Sequence, residues 1–211
     1  MRRILASLLV CGSVALAASP AYAQYYGRPR PAMGYGANPT LMPRGYIGFS
    51  GLGSAVLNQS GGVELLDNGG GVSIWGGLRF GPIFALELDW MGSFHNPAGA
   101  CDPAVCVVNY LVLETLDIDA KIHFPTGSNF DPFVQGGAGF AWIGREGFAA
   151  DAKGGGIDLG GGFDLWLNYW WTFGVRGLYR GVSMSDYATA TDTGRTFISL
   201  FTLEVNLAAH F

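Results

Sequence analysis

Charge is scarce in this chain. Asp, Glu, Lys and Arg together make up 13% of 211 residues, about half the usual share of a soluble domain. The formal net charge is −4, or −6 without Arg2 and Arg3. The chain therefore lacks the basic surface that a nucleic-acid-binding protein uses against phosphates. Long apolar runs are missing too: after the first two dozen residues no stretch of 18 is apolar throughout, which excludes helical membrane spans. There is no CxxC pair, no His/Cys ligand set and no Walker-type glycine loop, so no metal or cofactor is expected. Lys153-Gly154-Gly155-Gly156 starts a strand rather than opening a helix, and is not a phosphate cradle. Cysteine is limited to Cys11, Cys101 and Cys106.

What is present begins with a leader. Arg2 and Arg3 precede an apolar region from Ile4 to Ala18, followed by Ser19-Pro20 and Ala21-Tyr22-Ala23. This pattern predicts a secretory signal peptide over residues 1–23, cleaved between Ala23 and Gln24. Cys11 lies inside the apolar region, and Val10 is too large to precede a lipidated cysteine. The exported chain then keeps Cys101 and Cys106, an even pair that predicts a disulfide closing a small loop. Residues 24–44 are rich in Pro and Gly and cannot bury a core, so they read as a flexible periplasmic tether. One folded unit, residues 45–211, remains.

That unit carries eight segments whose residue type flips at every step. Six alternate strongly: Val72–Phe80, Phe84–Trp90, Leu116–Phe124, Ile157–Leu167, Trp171–Arg180 and Thr196–Phe211. Two are Gly/Ala-rich, Gly45–Leu57 and Pro132–Arg145. Period-two alternation over about ten residues is strand geometry with one apolar and one polar face. Where a segment holds several charges they share one parity, as Asp117, Asp119 and Lys121 do. Only Glu114 falls on the apolar side, near a strand end. Short connections (Phe80–Ile83, Phe124–Pro132 and Leu167–Trp170) alternate strictly with long ones (Asn58–Gly70, Ser93–Asn109, Glu146–Gly155 and Ser183–Gly194). That rhythm predicts an all-β fold, an eight-stranded antiparallel up-and-down transmembrane β-barrel with its short turns in the periplasm. Aromatic residues gather towards both ends, with Phe80, Phe84, Phe124, Trp170, Trp171 and Phe211 at one and Trp90, Tyr110, Trp142, Tyr179 and Phe197 at the other, as interfacial girdles do. A soluble barrel or sandwich would turn the apolar face inward. Here that face is continuous and bordered by aromatics, whereas the other is sparse in charge and rich in Gly.

The Gly-rich run Gly45–Gly53, the strand Phe84-Ala85-Leu86-Glu87-Leu88 and the run Pro132–Gly139 resemble the small OmpA-like or opacity-type (porin-like) outer-membrane β-barrel proteins of Gram-negative bacteria. The terminal strand, with Leu203, Val205, Leu207 and Phe211, is similar to the assembly signal of that group, although Ala209 stands where an aromatic is common. The resemblance covers residues 45–211. It implies integral residence in the outer membrane and contact with membrane lipids and lipopolysaccharide. It also implies insertion by the barrel assembly machinery, and outer loops open to surface ligands.

The expected interior charges are Arg79, Glu87, Asp89, Asp117, Asp119, Lys121, Asp158, Asp164, Arg176, Arg180 and Glu204. An eight-stranded barrel is barely wide enough for side chains, so these charges must pair. Gly137, Gly139, Gly160 and Gly162 would leave space inside, partly filled by Trp75 and Trp166. The expected role is non-enzymatic: a structural or surface-interaction barrel plugged by charged side chains, with at most a narrow pore. Two alternatives stand beside it. One is a small cation-preferring porin drawing on the acidic surplus. The other is a lipid A-modifying enzyme with a hydrolytic site at the outer rim. His95 beside Ser93 is the only rim histidine, since His123 and His210 fall at the periplasmic end. Asp102, Asp186 and Asp192 lie in the outer loops, but no carboxylate is assigned to orient His95.

Overall fold

The computed structural model describes residues 44–60, 66–97, 110–145, 152–185 and 196–211. Each alternating segment is a strand: β1 Arg44–Ser60, β2 Leu66–Phe80, β3 Phe84–Pro97, β4 Leu111–His123, β5 Phe130–Arg145, β6 Ala152–Trp166, β7 Trp171–Ser185 and β8 Thr196–His210. Every strand pairs antiparallel with its neighbours in sequence, and β1 pairs with β8, so the sheet closes into an eight-stranded barrel. The expectation of an all-β up-and-down barrel holds. The signal peptide, the tether before Arg44, the Cys101–Cys106 pair and the loop residues Asp102, Asp186 and Asp192 lie outside the described residues.

The strands run to 13–17 residues, longer than the ten or so that alternation suggests. At about 3.3 Å per residue they reach past the hydrocarbon layer even when tilted. The excess lies at the end bearing the long connections. There Gly69, Gly70 and Gly71 pair with His95, Phe94 and Ser93, although their composition reads as loop. Ser93 and His95 therefore belong to β3 and not to an outer loop.

Three tight connections close the other end. Gly81 (φ 79°) and Gly127 (φ 72°) take left-handed backbone conformations in two of them, where a side chain would be strained. In the third, the Asn168 side chain accepts hydrogen bonds from the Trp170 and Trp171 amides. The chain termini meet at this end too: the Gly45 and Phe211 amides each donate to the other's carbonyl, at 3.1 and 2.9 Å.

Parity sorts the two faces. Ile47, Phe49, Leu86, Ile118, Phe140, Ile157, Leu159, Leu203 and Val205 stand exposed on the outside, the reverse of a soluble protein. Phe80, Phe84, Phe124, Trp170, Trp171 and Phe211 are exposed near the tight turns, and Tyr110, Tyr179 and Phe197 towards the other end. Glu114 shares the outer face, where it accepts a hydrogen bond from the Trp142 indole directly opposite on β5. This carboxylate is thus partnered beside an aromatic girdle.

Candidate functional site

The barrel interior is the candidate site. All eleven charges expected inside are buried there. Eight of them, Glu87, Asp89, Asp117, Lys121, Asp164, Arg176, Arg180 and Glu204, form one network around two arginines of β7. Arg176 Nε binds Glu204 at 2.8 Å, and its terminal nitrogens reach Asp89 at 2.7 Å and Glu87 at 3.5 Å. Arg180 reaches Asp117 at 2.7 Å, Asp89 at 3.3 Å and Glu204 at 3.4 Å. Hydroxyls complete the shell: Ser50 donates to Glu204 at 2.7 Å, and Thr115 to Asp117 at 2.7 Å. Strand register explains the convergence, because Asp89 lies opposite Asp117 and Arg176 opposite Glu204.

Towards the tight turns, Lys121 binds Glu87 at 3.0 Å and Asp164 at 3.5 Å. Its ammonium stands 3.7 Å from the Phe133 ring centroid and 5.5 Å from that of Trp75. The Tyr46 hydroxyl donates to Glu87 at 2.9 Å. Arg79 pairs with Asp131 at 2.6 Å and donates to the Gly81 and Pro82 carbonyls, tying the β2–β3 turn to β5. His123 Nδ1 lies 3.3 Å from the same Asp131 carboxylate. Asp131 is an interior acid that sequence reasoning missed, because Phe124–Pro132 reads as a turn. Its parity with Phe133 and Gln135 was the available signal.

Above the network, towards the long connections, an apolar cluster fills the interior beside Ser93 and His95. Leu52, Leu66, Met91, Leu111, Leu113, Ile143, Val182, Met184, Ile198 and Leu200 are buried in one cluster. This second layer was not expected from the sequence. Val182 and Met184 share the parity of Arg176 and Arg180, and Ile198 and Leu200 that of Glu204. Alternation vanishes where both faces are apolar, as in Phe197-Ile198-Ser199-Leu200-Phe201.

The glycines give a further correction, because they do not leave open space. A Cβ at Gly137 or Gly139 would strike an aspartate carboxylate, Asp119 or Asp117, and the β4 backbone. A Cβ at Gly160 or Gly162 would strike the β7 backbone at the Gly177 or Val175 carbonyl. These glycines permit close strand approach. Trp75 and Trp166 are buried inside as expected, and Trp166 stacks on His210 with ring centroids 4.4 Å apart. Two cavities beside the charges, one by Asp158 and Arg180 and one by Lys121 and His210, have volumes of about 10 Å³ each. That is room for about one water.

His95 points inward at the long-connection end. Its Nδ1 lies 2.7 Å from the Asp67 carbonyl and its Nε2 2.9 Å from Ser93 Oγ. A carbonyl only accepts, so Nδ1 donates to Asp67, and in the neutral ring Nε2 competes with the Leu113 carbonyl for the single Ser93 hydroxyl hydrogen. The pairing has the order of a nucleophile–base relay, with a carbonyl in place of the orienting carboxylate. Ser93 is wholly buried, however, and its Oγ also lies 3.2 Å from the Leu113 carbonyl.

An apolar exterior, a paired polar interior and a closed sheet define an integral outer-membrane β-barrel, since only closure satisfies every backbone group in lipid. Comparison with known structures places this barrel among small eight-stranded ones. Neisserial surface protein A superimposes with a TM-score of 0.60 at 11% identity, over 79% of this chain and 97% of that one. OprG from Pseudomonas aeruginosa gives 0.52 at 13% identity, over 82% and 97%. Ail of Yersinia pestis, in complex with the heparin analogue sucrose octasulfate, gives 0.51 at 13%, over 81% and 100%. At these identities the likeness is one of fold. No family model and no curated protein matches the sequence.

Proposed function

We propose that this protein is a non-enzymatic envelope barrel whose wall anchors surface loops and whose interior is closed to flow. One observation carries the reading: the bore is occluded twice, by the network around Arg176 and Arg180 and by the apolar layer above it. A solute would have to break buried ion pairs, at a cost of several kcal/mol each, and then cross a packed apolar layer. In planar bilayers the purified barrel should show no large stable conductance and at most a small, cation-biased one. A large stable conductance would refute the closed interior and install the porin alternative.

The surface role then falls to the four long connections. Their residues outside the described strands include Glu64, Asp102, Glu146, Asp151, Asp186 and Asp192 against the single base Arg195. Such loops favour neutral or cationic partners, unlike the polyanion bound to Ail. Further parts of this reading are cleavage between Ala23 and Gln24, a tether over residues 24–44, and a Cys101–Cys106 bridge. Contact with lipopolysaccharide and insertion by the assembly machinery through Leu203, Val205, Leu207 and Phe211 complete it. Mass spectrometry of the exported chain tests the first and third: its amino terminus should be Gln24 and its mass two hydrogens below the dithiol form.

The Ser93–His95 hydrogen bond favours lipid A modification as a second reading. Its test is mass spectrometry of lipid A with and without expression. We expect no change, because the Ser93 hydroxyl faces the packed interior. Altered lipid A that reverts with His95→Ala would establish the enzyme.

A further inference from the structure

Two interior acids stand apart from the ion pairs. Asp119 of β4 and Asp158 of β6 lie opposite the same residue, Gly137 of β5. A side chain at 137 would collide with the Asp119 carboxylate. Glycine there leaves the two acids, one from each neighbouring strand, flanking a residue with no side chain to separate them. Both are buried, and no donor among the described residues reaches any of their four carboxyl oxygens.

Arg180 of β7 stands directly opposite Asp158, yet among the described residues no cation bonds to either acid. β3 brings Glu87 and Asp89, β4 brings Asp117 and Lys121, β5 brings Gln135, β7 brings Arg176 and Arg180, and β8 brings Glu204. The three cations in that set are engaged with Glu87, Asp89, Asp117, Asp164 and Glu204. Arg79, further towards the turns, is held by Asp131. Two ionised carboxylates flanking one glycine, out of water, repel each other strongly, and such a pair is relieved when one of them retains a proton. The described residues assemble no group of three ligands suited to a metal ion, whereas a proton needs only one oxygen from each acid.

We propose that Asp119 and Asp158 share one proton at neutral pH, taken from water during folding. The resulting carboxylic acid–carboxylate hydrogen bond links β4 to β6 across β5. The folded barrel thus holds a proton that the unfolded chain has released. Raising the pH should therefore favour unfolding until the folded pair loses that proton.

The test uses the full barrel in lipid vesicles. Infrared spectra at neutral pH should contain a protonated-carboxyl stretch that shifts in D₂O and disappears in both Asp119→Asn and Asp158→Asn. Both variants should still insert, shown by gel migration with and without boiling, because the asparagine amide donates the hydrogen bond that the proton made. In urea titrations, the folded-to-unfolded ratio of the parent should fall about tenfold more per pH unit than that of Asp119→Asn, the slope of one bound proton. Absence of the band in the parent, or its survival in both variants, would overturn the proposal. So would equal pH slopes, or a stability that follows sodium concentration in the parent and not in Asp119→Asn, which would place a cation in the gap.

Discussion

At the residue scale, Arg176 organises the interior. It is wholly buried and meets Glu87, Asp89 and Glu204 from three directions. Arg176→Met would keep much of the volume while leaving those acids short of a partner, so a loss of about 3–5 kcal/mol is expected. Urea unfolding in vesicles measures it. A double-mutant cycle with Glu204→Gln should be non-additive, because the two residues share one network. Which charges face inward was legible from parity alone, since a strand offers two faces and lipid excludes charge from one. Which carboxylate each arginine chooses was not legible. That depends on the stagger between strands, and Arg180 reaches across the bore to Asp117 through no local pattern. Asp131 was hidden for another reason: the Phe-Asp-Pro run carries turn chemistry although β5 already begins at Phe130.

At the scale of elements, glycine separates two kinds of strand position. A Cβ at Gly160 would strike the Gly177 carbonyl of β7, whereas one at Gly51 on β1 would meet open space. Gly160→Ala should therefore destabilise by about 1–3 kcal/mol through overpacking, and Gly51→Ala should stay within about 0.5 kcal/mol. Paired urea titrations decide it, and equal effects would contradict the close β6–β7 approach. Strand ends were the least legible elements. Alternation marks where a strand crosses lipid, not where pairing stops, so the Gly69–Gly71 extension of β2 carries no hydrophobic signal. The apolar upper layer was obscured in the same way, because two apolar faces erase the period.

At the scale of the whole molecule, seven of the eight strand pairings join consecutive strands through a hairpin, while the eighth joins Tyr46 to His210. Loop-closure entropy makes that seam the costliest contact to form, since almost the entire barrel must be ordered first. Deleting Phe211 removes the residue that bonds to Gly45 there, and the amount inserted in cells should fall well before the stability of the finished barrel does. Normal insertion at native expression would refute this. A kinetic consequence follows. Until the seam shuts, β1 and β8 are open edges with unpaired amides in or near lipid, so the slowest step of maturation should be the meeting of the two ends. Circular permutation that joins residue 211 to residue 44 and cuts between β4 and β5 would move those edges. Pulse-labelling hydrogen exchange should then find the last-protected amides on β4 and β5 instead of β1 and β8.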